Sequence, residues 1–227
     1  MSASLPLVVD RREGQPALRV TEIFHSIQGE ATFAGWPCTF IRLTGCNLRC
    51  RWCDTEYSFH GGTTMTVSDV LREIARHPAR RVEITGGEPL LQKATPLLAR
   101  SLLDAGHEVW CETSGERNID LLPEGVRRVM DLKAPGSGEH ERNDLENLAR
   151  LRPGDEVKIV CADRQDFDWA VEMMHQHSSL KRVPVHVSPV YGELEPSDLA
   201  DWILASGLEI RLNLQLHKVL WGDQRGR

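Results

Sequence analysis

Hydrophobic positions along this chain switch repeatedly between the two-residue spacing of strands and the three-to-four-residue spacing of helices. Residues 20–30 read as a short strand followed by a polar turn, and residues 38–43 as a second strand by their β-branched and aromatic content. From Thr66 onward, Val67, Val70, Leu71, Ile74 and Ala75 recur at helical spacing, with Ser68 and Asp69 near the start. A strand at 81–85 then stops at Gly86-Gly87-Glu88-Pro89. The alternation continues with a helix at 95–105, strands at 107–112 and 126–132, a helix at 144–151, a strand at 156–161 and a helix at 167–177. It closes with a strand at 185–187, a helix at 198–205 and a strand at 209–214.

Repeated strand-then-helix units imply parallel strands joined by crossover helices. Their number falls short of the eight of a closed barrel, so the expected α/β fold is a partial, open β/α barrel of about six to seven parallel strands. Residues 1–18 show no clear period and contain Gly14 and Pro16, which reads as a flexible leader before a single domain over 19–227. In barrels of this kind catalytic groups collect on the loops that follow the strands. The polar motifs obey that rule: the cysteine-rich loop after 38–43, Gly86-Gly87-Glu88-Pro89, Glu112-Thr113-Ser114-Gly115, Asp131-Leu132-Lys133 and Ser188-Pro189 all sit at expected strand ends.

Composition narrows the class of function. The 227 residues are 41% hydrophobic, enough for a substantial core, and 27 basic against 33 acidic side chains give a net charge of −6. That balance argues against nucleic acid as the main partner, because phosphate binding calls for a basic face. No apolar run approaches the ~20 residues of a membrane span, and Leu5-Pro6-Leu7-Val8-Val9 is too short for the apolar core of a signal peptide. Of the six cysteines, Cys38, Cys111 and Cys161 are scattered at strand positions, where they read as small buried side chains. This usage fits the reducing cytosol, hence a cytoplasmic protein, better than a disulfide framework.

The remaining three cysteines bring in chemistry. Cys46, Cys50 and Cys53, spaced Cys-x3-Cys-x2-Cys, lie in the polar run Cys46-Asn47-Leu48-Arg49-Cys50-Arg51-Trp52-Cys53-Asp54-Thr55 and can converge on one metal centre. Iron–sulfur clusters normally take four thiolates, so three leave one iron open as a binding site. Zinc is the competing metal, with His60 completing a Cys3His set, although the gap from Cys53 is longer than zinc-finger spacings. The run, with Trp52 just before the third cysteine, resembles the signature of the radical S-adenosylmethionine (SAM) enzymes. In that superfamily three cysteines hold a four-iron four-sulfur cluster whose open iron chelates SAM, and electron transfer cleaves SAM to a 5′-deoxyadenosyl radical. The same resemblance makes the Gly86-Gly87-Glu88-Pro89 backbone, with Gly87, a site for the methionine amine of SAM. It also places Trp52, Cys53, Asp54, Ser114 and Lys133 near that cofactor.

A narrower likeness covers nearly the whole chain after about residue 20. Ser26-Ile27-Gln28-Gly29-Glu30, the Arg42 strand, Cys53-Asp54-Thr55, Thr85-Gly86-Gly87-Glu88-Pro89-Leu90-Leu91-Gln92, Glu112-Thr113-Ser114-Gly115 and Gln215-Leu216-His217-Lys218 are together similar to the 7-carboxy-7-deazaguanine synthase family. That family converts 6-carboxy-5,6,7,8-tetrahydropterin to 7-carboxy-7-deazaguanine with loss of ammonia, a step toward the deazapurine of queuosine. The resemblance implies a pterin substrate contacted by Ile27, Gln28, Gly29, Arg42, Thr85, Glu112 and His217. It implies Mg2+ at Thr55, a reducing donor of the flavodoxin or ferredoxin type, and a homodimer. Taken alone, Arg42 on a largely buried strand calls for an anionic partner, best a bidentate carboxylate, with an internal salt bridge to Glu30 or Glu22 as the alternative, and His217 reads first as a satisfied histidine of a terminal strand. Two departures stand out: Gly29-Glu30-Ala31 replaces the family's common Gly-Glu-Gly, and the chain runs on from His217 to Arg227. A glycyl-radical activase would share the cluster and SAM, and a non-catalytic zinc module would share only the cysteines.

Overall fold

Alternating side chains give one sheet two unlike faces. In the computed structural model, which describes residues 11, 12, 14–78, 80–222 and 224–227 (backbone alone for 11 and 12), the described strands join in a single sheet. In chain order they are β1 (Arg11–Arg12), β2 (Gln15–Ile27), β3 (Pro37–Leu43), β4 (Thr63–Thr66) and β5 (Arg81–Gly86). These are followed by β6 (Glu108–Thr113), β7 (Arg127–Asp131), β8 (Glu156–Cys161), β9 (Val185–Pro189) and β10 (Arg211–Leu212). The spatial order is β1-β2-β3-β5-β6-β7-β8-β9-β10, with β4 on β2. From β3 through β10 the neighbours run parallel, whereas β2 is antiparallel to β1, β3 and β4. With β1 and β10 at opposite ends of that order, the barrel is open, as the count of strand units required.

Helices α1 (Val67–Ile74), α2 (Thr95–Asp104), α3 (Glu146–Ala149), α4 (Arg164–Gln176), α5 (Pro196–Ser206) and α6 (Leu216–Trp221) complete the fold. Val70 and Ile74 of α1, Leu98 and Leu102 of α2, Phe167 and Met173 of α4 and Leu199 of α5 join one apolar core with Val82, Ile84, Val109, Val157, Ile159 and Val187 of the strands. The start of α1 is fixed by Thr66, whose hydroxyl accepts from Asp69 N at 3.1 Å while the Asp69 carboxylate accepts from Thr66 N at 2.9 Å. No helix among the described residues is long and apolar enough to cross a membrane.

Three expectations shift. The leader over 1–18 does not hold at its C-terminal part: residues 15–18 belong to β2, and Ala17 and Leu18 are fully buried opposite Thr66 and Met65 of β4. Polar β4 gave no strand pattern, so the partner that orders this stretch was invisible; residues 1–10 lie outside the described part. The helix expected at 144–151 is a single turn, because buried Asn147 spends its side chain on Gly115 O, Arg117 O and Ile119 N rather than facing a core. The last expected strand shortens to Arg211–Leu212, and His217 lies on α6 instead.

After β2 the chain crosses the end of the barrel opposite the cysteine loop. Thr32 donates from N and Oγ1 to Glu156 Oε2 (2.9 and 2.7 Å), which also receives His186 Nε2 at 2.6 Å. Phe33 meets Trp110 edge-on, with centroids 4.1 Å apart. This crossing segment delivers Gln28, Gly29 and Glu30 to the concave interior.

Candidate active site

The concave face of the sheet and the loops at its C-terminal rim enclose a cavity of about 490 Å³. Every residue assigned a role from the sequence lines it: Cys46, Cys50, Cys53, Trp52, Asp54, Thr55, Gly87, Ser114 and Lys133 toward the rim loops, and Ile27, Gln28, Gly29, Arg42, Thr85, Glu112 and His217 from strands, crossing segment and α6. His60 is exposed and lies outside this lining, and no Cys3His group is found among the described residues.

The cysteine loop is held from several sides. Gly45 N donates to Ser58 O (2.8 Å), Arg51 N to Ser137 O (3.0 Å) and Arg49 N to Glu139 Oε1 (2.6 Å), while Leu48 is buried beneath it. Gly87 packs so closely that a Cβ would collide with the Gly45 carbonyl and Cys46 Cβ. Glycine is therefore needed for two loops to touch, a requirement the sequence did not separate from access for a ligand. Glu88, fully buried, joins the next pair of loops: it accepts from Leu90 N (2.8 Å), Ser114 N (2.6 Å) and Thr113 Oγ1 (2.8 Å).

The rim brings thiols, hydroxyls and an ammonium to one cavity wall, although among the described residues no three His, Cys, Asp or Glu side chains are grouped as a metal site. Burial pushes the Cys46 thiol up to about 11 and raises Cys50 as well, so these thiols would need a cation against them to become thiolates. Ser114 Oγ is buried beside the Glu88 carboxylate, has no other partner among the described residues and lines the cavity, a position open to a ligand hydroxyl or carboxylate. Lys133 donates to Asp131 Oδ2 at 2.7 Å; burial lowers its affinity for a proton, but the Asp131 charge outweighs that and keeps it an ammonium.

Deeper in, the interior is charged. The Lys158 ammonium meets Glu30 Oε2 at 2.5 Å, Asp131 Oδ1 at 3.5 Å and Glu112 Oε1. Glu112 Oε2 receives a long contact from Thr85 Oγ1, at 3.4 Å, and the Glu83 carboxyl lies within hydrogen-bond reach of the Glu112 carboxyl. Gln28 Nε2 donates to Glu83. Arg42 donates from Nε to Glu22 Oε1 at 2.7 Å, one of the two partners weighed for it, and Tyr57 OH donates to the same oxygen at 2.7 Å. Gly29 gives His217 its place: a Cβ there would overlap the imidazole, and Leu216 N donates to Gly29 O at 2.9 Å. Burial lowers the proton affinity of His217, and the nearby Glu30 and Asp54 charges do not fully restore it, so the ring is held toward its neutral form.

Sequence reasoning gave no role to Glu83 and Lys158 on the floor, nor to Gln215 and Lys218 beside them. A usable signal existed: Val82-Glu83-Ile84-Thr85 and Val157-Lys158-Ile159 alternate strictly, and in an open β/α barrel the polar partner of each pair points inward.

Comparison with known proteins completes the description. The model of the radical SAM superfamily matches residues 40–134. A 7-carboxy-7-deazaguanine synthase of Koribacter versatilis is 43% identical over 220 residues, spanning 90% of this chain and 97% of that protein. A protein of the same name from Chlorobaculum tepidum is 44% identical, over 92% of this chain and 97% of its own length. Among solved structures, QueE from Escherichia coli superposes with a TM-score of 0.69 at 23% identity, covering 88% of this chain and 95% of that one. Streptococcus suis SuiB bound to S-adenosylmethionine gives a TM-score of 0.51 at 13% identity, over 75% of this chain and 45% of that one; both likenesses bear on the fold.

Proposed function

Because this chain belongs to the 7-carboxy-7-deazaguanine synthase family, we propose that it converts 6-carboxy-5,6,7,8-tetrahydropterin to 7-carboxy-7-deazaguanine with release of ammonia, as a radical SAM carbon–nitrogen lyase. The observation that supports this reading most is the shared cavity, in which a three-thiol loop at the rim stands over a floor lined by the Glu112 carboxyl, an acceptor for ring N–H donors. The names of the relatives favour this lyase over a glycyl-radical activase.

Cys46, Cys50 and Cys53 would hold the four-iron four-sulfur cluster, and SAM bound at its open iron would supply the one-electron chemistry that starts the reaction. Trp52, Asp54, the Gly87 backbone, Ser114 and Lys133 then border SAM: Ser114 offers its hydroxyl, and Lys133 a charge already aligned by Asp131. Arg42, tethered to Glu22 through Nε, presents its terminal nitrogens to the substrate carboxylate. A neutral His217 adds an N–H donor there. Ile27, Gln28, Gly29 and Thr85 enclose the ring, and Glu112 accepts from its amino and N–H groups. Thr55 would bind Mg2+, a hard cation suited to its hydroxyl oxygen. A flavodoxin- or ferredoxin-type donor, a homodimer and a cytoplasmic setting belong to the same reading.

The deciding experiment is anaerobic incubation of the iron-loaded protein with SAM, reductant, Mg2+ and the carboxytetrahydropterin. The deazaguanine product is expected; its absence with an intact cluster overturns the proposal. Thr55→Ala should slow turnover while iron and sulfide content hold, and unchanged turnover across magnesium concentrations would remove Thr55 from the site.

A further inference from the structure

Glu83 is a buried ionisable group of the cavity floor that the proposed reaction leaves without a task. It projects from β5 with 3% of its surface exposed and lines the cavity. Facing it are Glu112 of β6, Lys158 of β8 and Glu30 of the crossing segment, with the thiols of Cys38 on β3 and Cys111 on β6 close by. The Lys158 ammonium donates to Glu30 and Glu112 and pairs with Asp131 Oδ1 at 3.5 Å, and no ion pair from a described residue reaches Glu83. Its Oε2 accepts from the neutral amide of Gln28, whose orientation is fixed because Gln28 Oε1 accepts from Glu30 N at 3.1 Å. The Glu83 carboxyl also lies within hydrogen-bond reach of the Glu112 carboxyl, and no further described residue donates to Glu83 Oε1.

A carboxylate buried beside a second carboxylate and supported by one neutral donor is unfavourable, and a proton is the remedy. Burial first, then the Glu112 and Glu30 charges and a proton shared with the Glu112 carboxyl, raise the Glu83 carboxyl well above the usual range, against the opposing pull of Lys158; a substrate acceptor takes over that hydrogen bond from Glu112.

We propose that Glu83 works as a neutral carboxylic acid whose Oε1 hydroxyl donates to a carbonyl or ring-nitrogen acceptor of the substrate heterocycle, beside Glu112 Oε2, which accepts from an adjacent ring N–H or amino group. The inference rests on the pterin reading above and sharpens it: acid and carboxylate together read an acceptor flanked by donors, the amide edge of an aminopyrimidinone. A ring carrying an amino group in place of that carbonyl sets donor against donor and is refused, since both partners then stay buried and unpaired.

The test uses the anaerobic iron-loaded enzyme, with affinity for the carboxytetrahydropterin measured by calorimetry over a pH series. Infrared spectroscopy of the same protein without substrate follows the carbonyl band of a protonated carboxyl group. The wild type should show that band at neutral pH, and Glu83→Gln should lose the part of it that Glu83 supplies. Glu83→Leu should weaken binding roughly tenfold, the value of one hydrogen bond in a dry site, and Glu83→Gln, which restores an N–H donor, should recover most of that loss. Wild-type affinity should also fall at alkaline pH as Glu83 ionises, a limb missing from Glu83→Gln. Absence of the band in the wild type, a band left whole in Glu83→Gln, or Glu83→Gln binding no better than Glu83→Leu, overturns the assignment. If Glu83→Leu does not fold, Glu83→Gln decides alone, through the part of the band it loses and the alkaline limb it lacks, since burial also raises the carboxyl groups of Glu88 and Glu112. Failure of the pterin reading looks different: the wild type then gives no turnover and no binding, whereas the infrared band is unaffected.

Discussion

The two faces of the same strands obey opposite rules. On β5, Val82 and Ile84 are fully buried against the helices, while Glu83 and Thr85, one residue away, line the cavity. On β8, Val157 and Ile159 enter the outer core, while Lys158 stands among carboxylates. The outer face gains stability from apolar burial, which is additive and tolerant of detail. Inside, each buried charge is balanced by a specific neighbour, so that stability there depends on completeness. The lesson is that this sheet holds its shape from outside and leaves the inside free to be chemically demanding.

Removing the central cation should break the inner face most severely. Lys158→Met leaves Glu30, Glu112 and Asp131 without their shared ammonium, and unfolding in urea at neutral pH should show a loss of about 4 kcal/mol. The deficit should shrink in acid, because those carboxyl groups can then take up protons. A pH-independent loss would show that Lys158 matters through packing alone. On the outer face, Ile84→Ala should cost about 3 kcal/mol by transfer and cavity terms, with the same deficit at every pH and little change in ligand affinity. A change in affinity as large as that of an inner-face variant would dissolve the contrast between the faces.

That contrast also explains what could be read from the sequence. Outer-face periodicity located the parallel strands and α1, α2, α4 and α5 to within a few residues, because one apolar side per element is enough to mark them. Motifs at strand C-termini were legible too, since loops after barrel strands concentrate chemistry; Cys46 to Thr55, Gly87, Ser114 and Lys133 all reached the same rim. Floor residues were not, for a physical reason. Glu83 and Lys158 sit inside strands whose β-branched neighbours dominate the pattern, and their function arises from partners 27 or more positions away in the chain. His217 was placed on the wrong element because β10 ends at Leu212 and the apolar residues beyond it serve α6.

Glu156, at the closed end of the barrel, offers a milder test of the inner face. Burial alone would raise its carboxyl group, but bonds from His186 and Thr32 outweigh burial and hold it below the ordinary value of 4.5. The sign follows: a depressed folded-state pKa contributes stability that is fully present above about 4.5 and is lost as pH falls through the folded value. Glu156→Gln should therefore cost about 2 kcal/mol near neutral pH and flatten the acid limb of the stability curve. Parallel wild-type and variant curves through that region would mean the carboxylate charge contributes nothing.

The smallest effect concerns the apolar exception on the inner side. Ala31 packs with Trp110 and Val129 at the closed end, yet its φ of 60° lies in the left-handed region, at the position where family members commonly have glycine. For a residue with a Cβ that conformation costs roughly 1–2 kcal/mol. Ala31→Gly removes the strain but adds roughly 0.5–1 kcal/mol of chain entropy lost on folding, and it gives up the Cβ contact. Strain relief wins narrowly, so the variant should be more stable by about 0.5 kcal/mol, visible as a small rise in the urea midpoint at unchanged slope. A lower midpoint would mean that one methyl against Trp110 and Val129 outweighs a strained backbone, and that the closed end of the barrel is governed by the packing rules of the outer face.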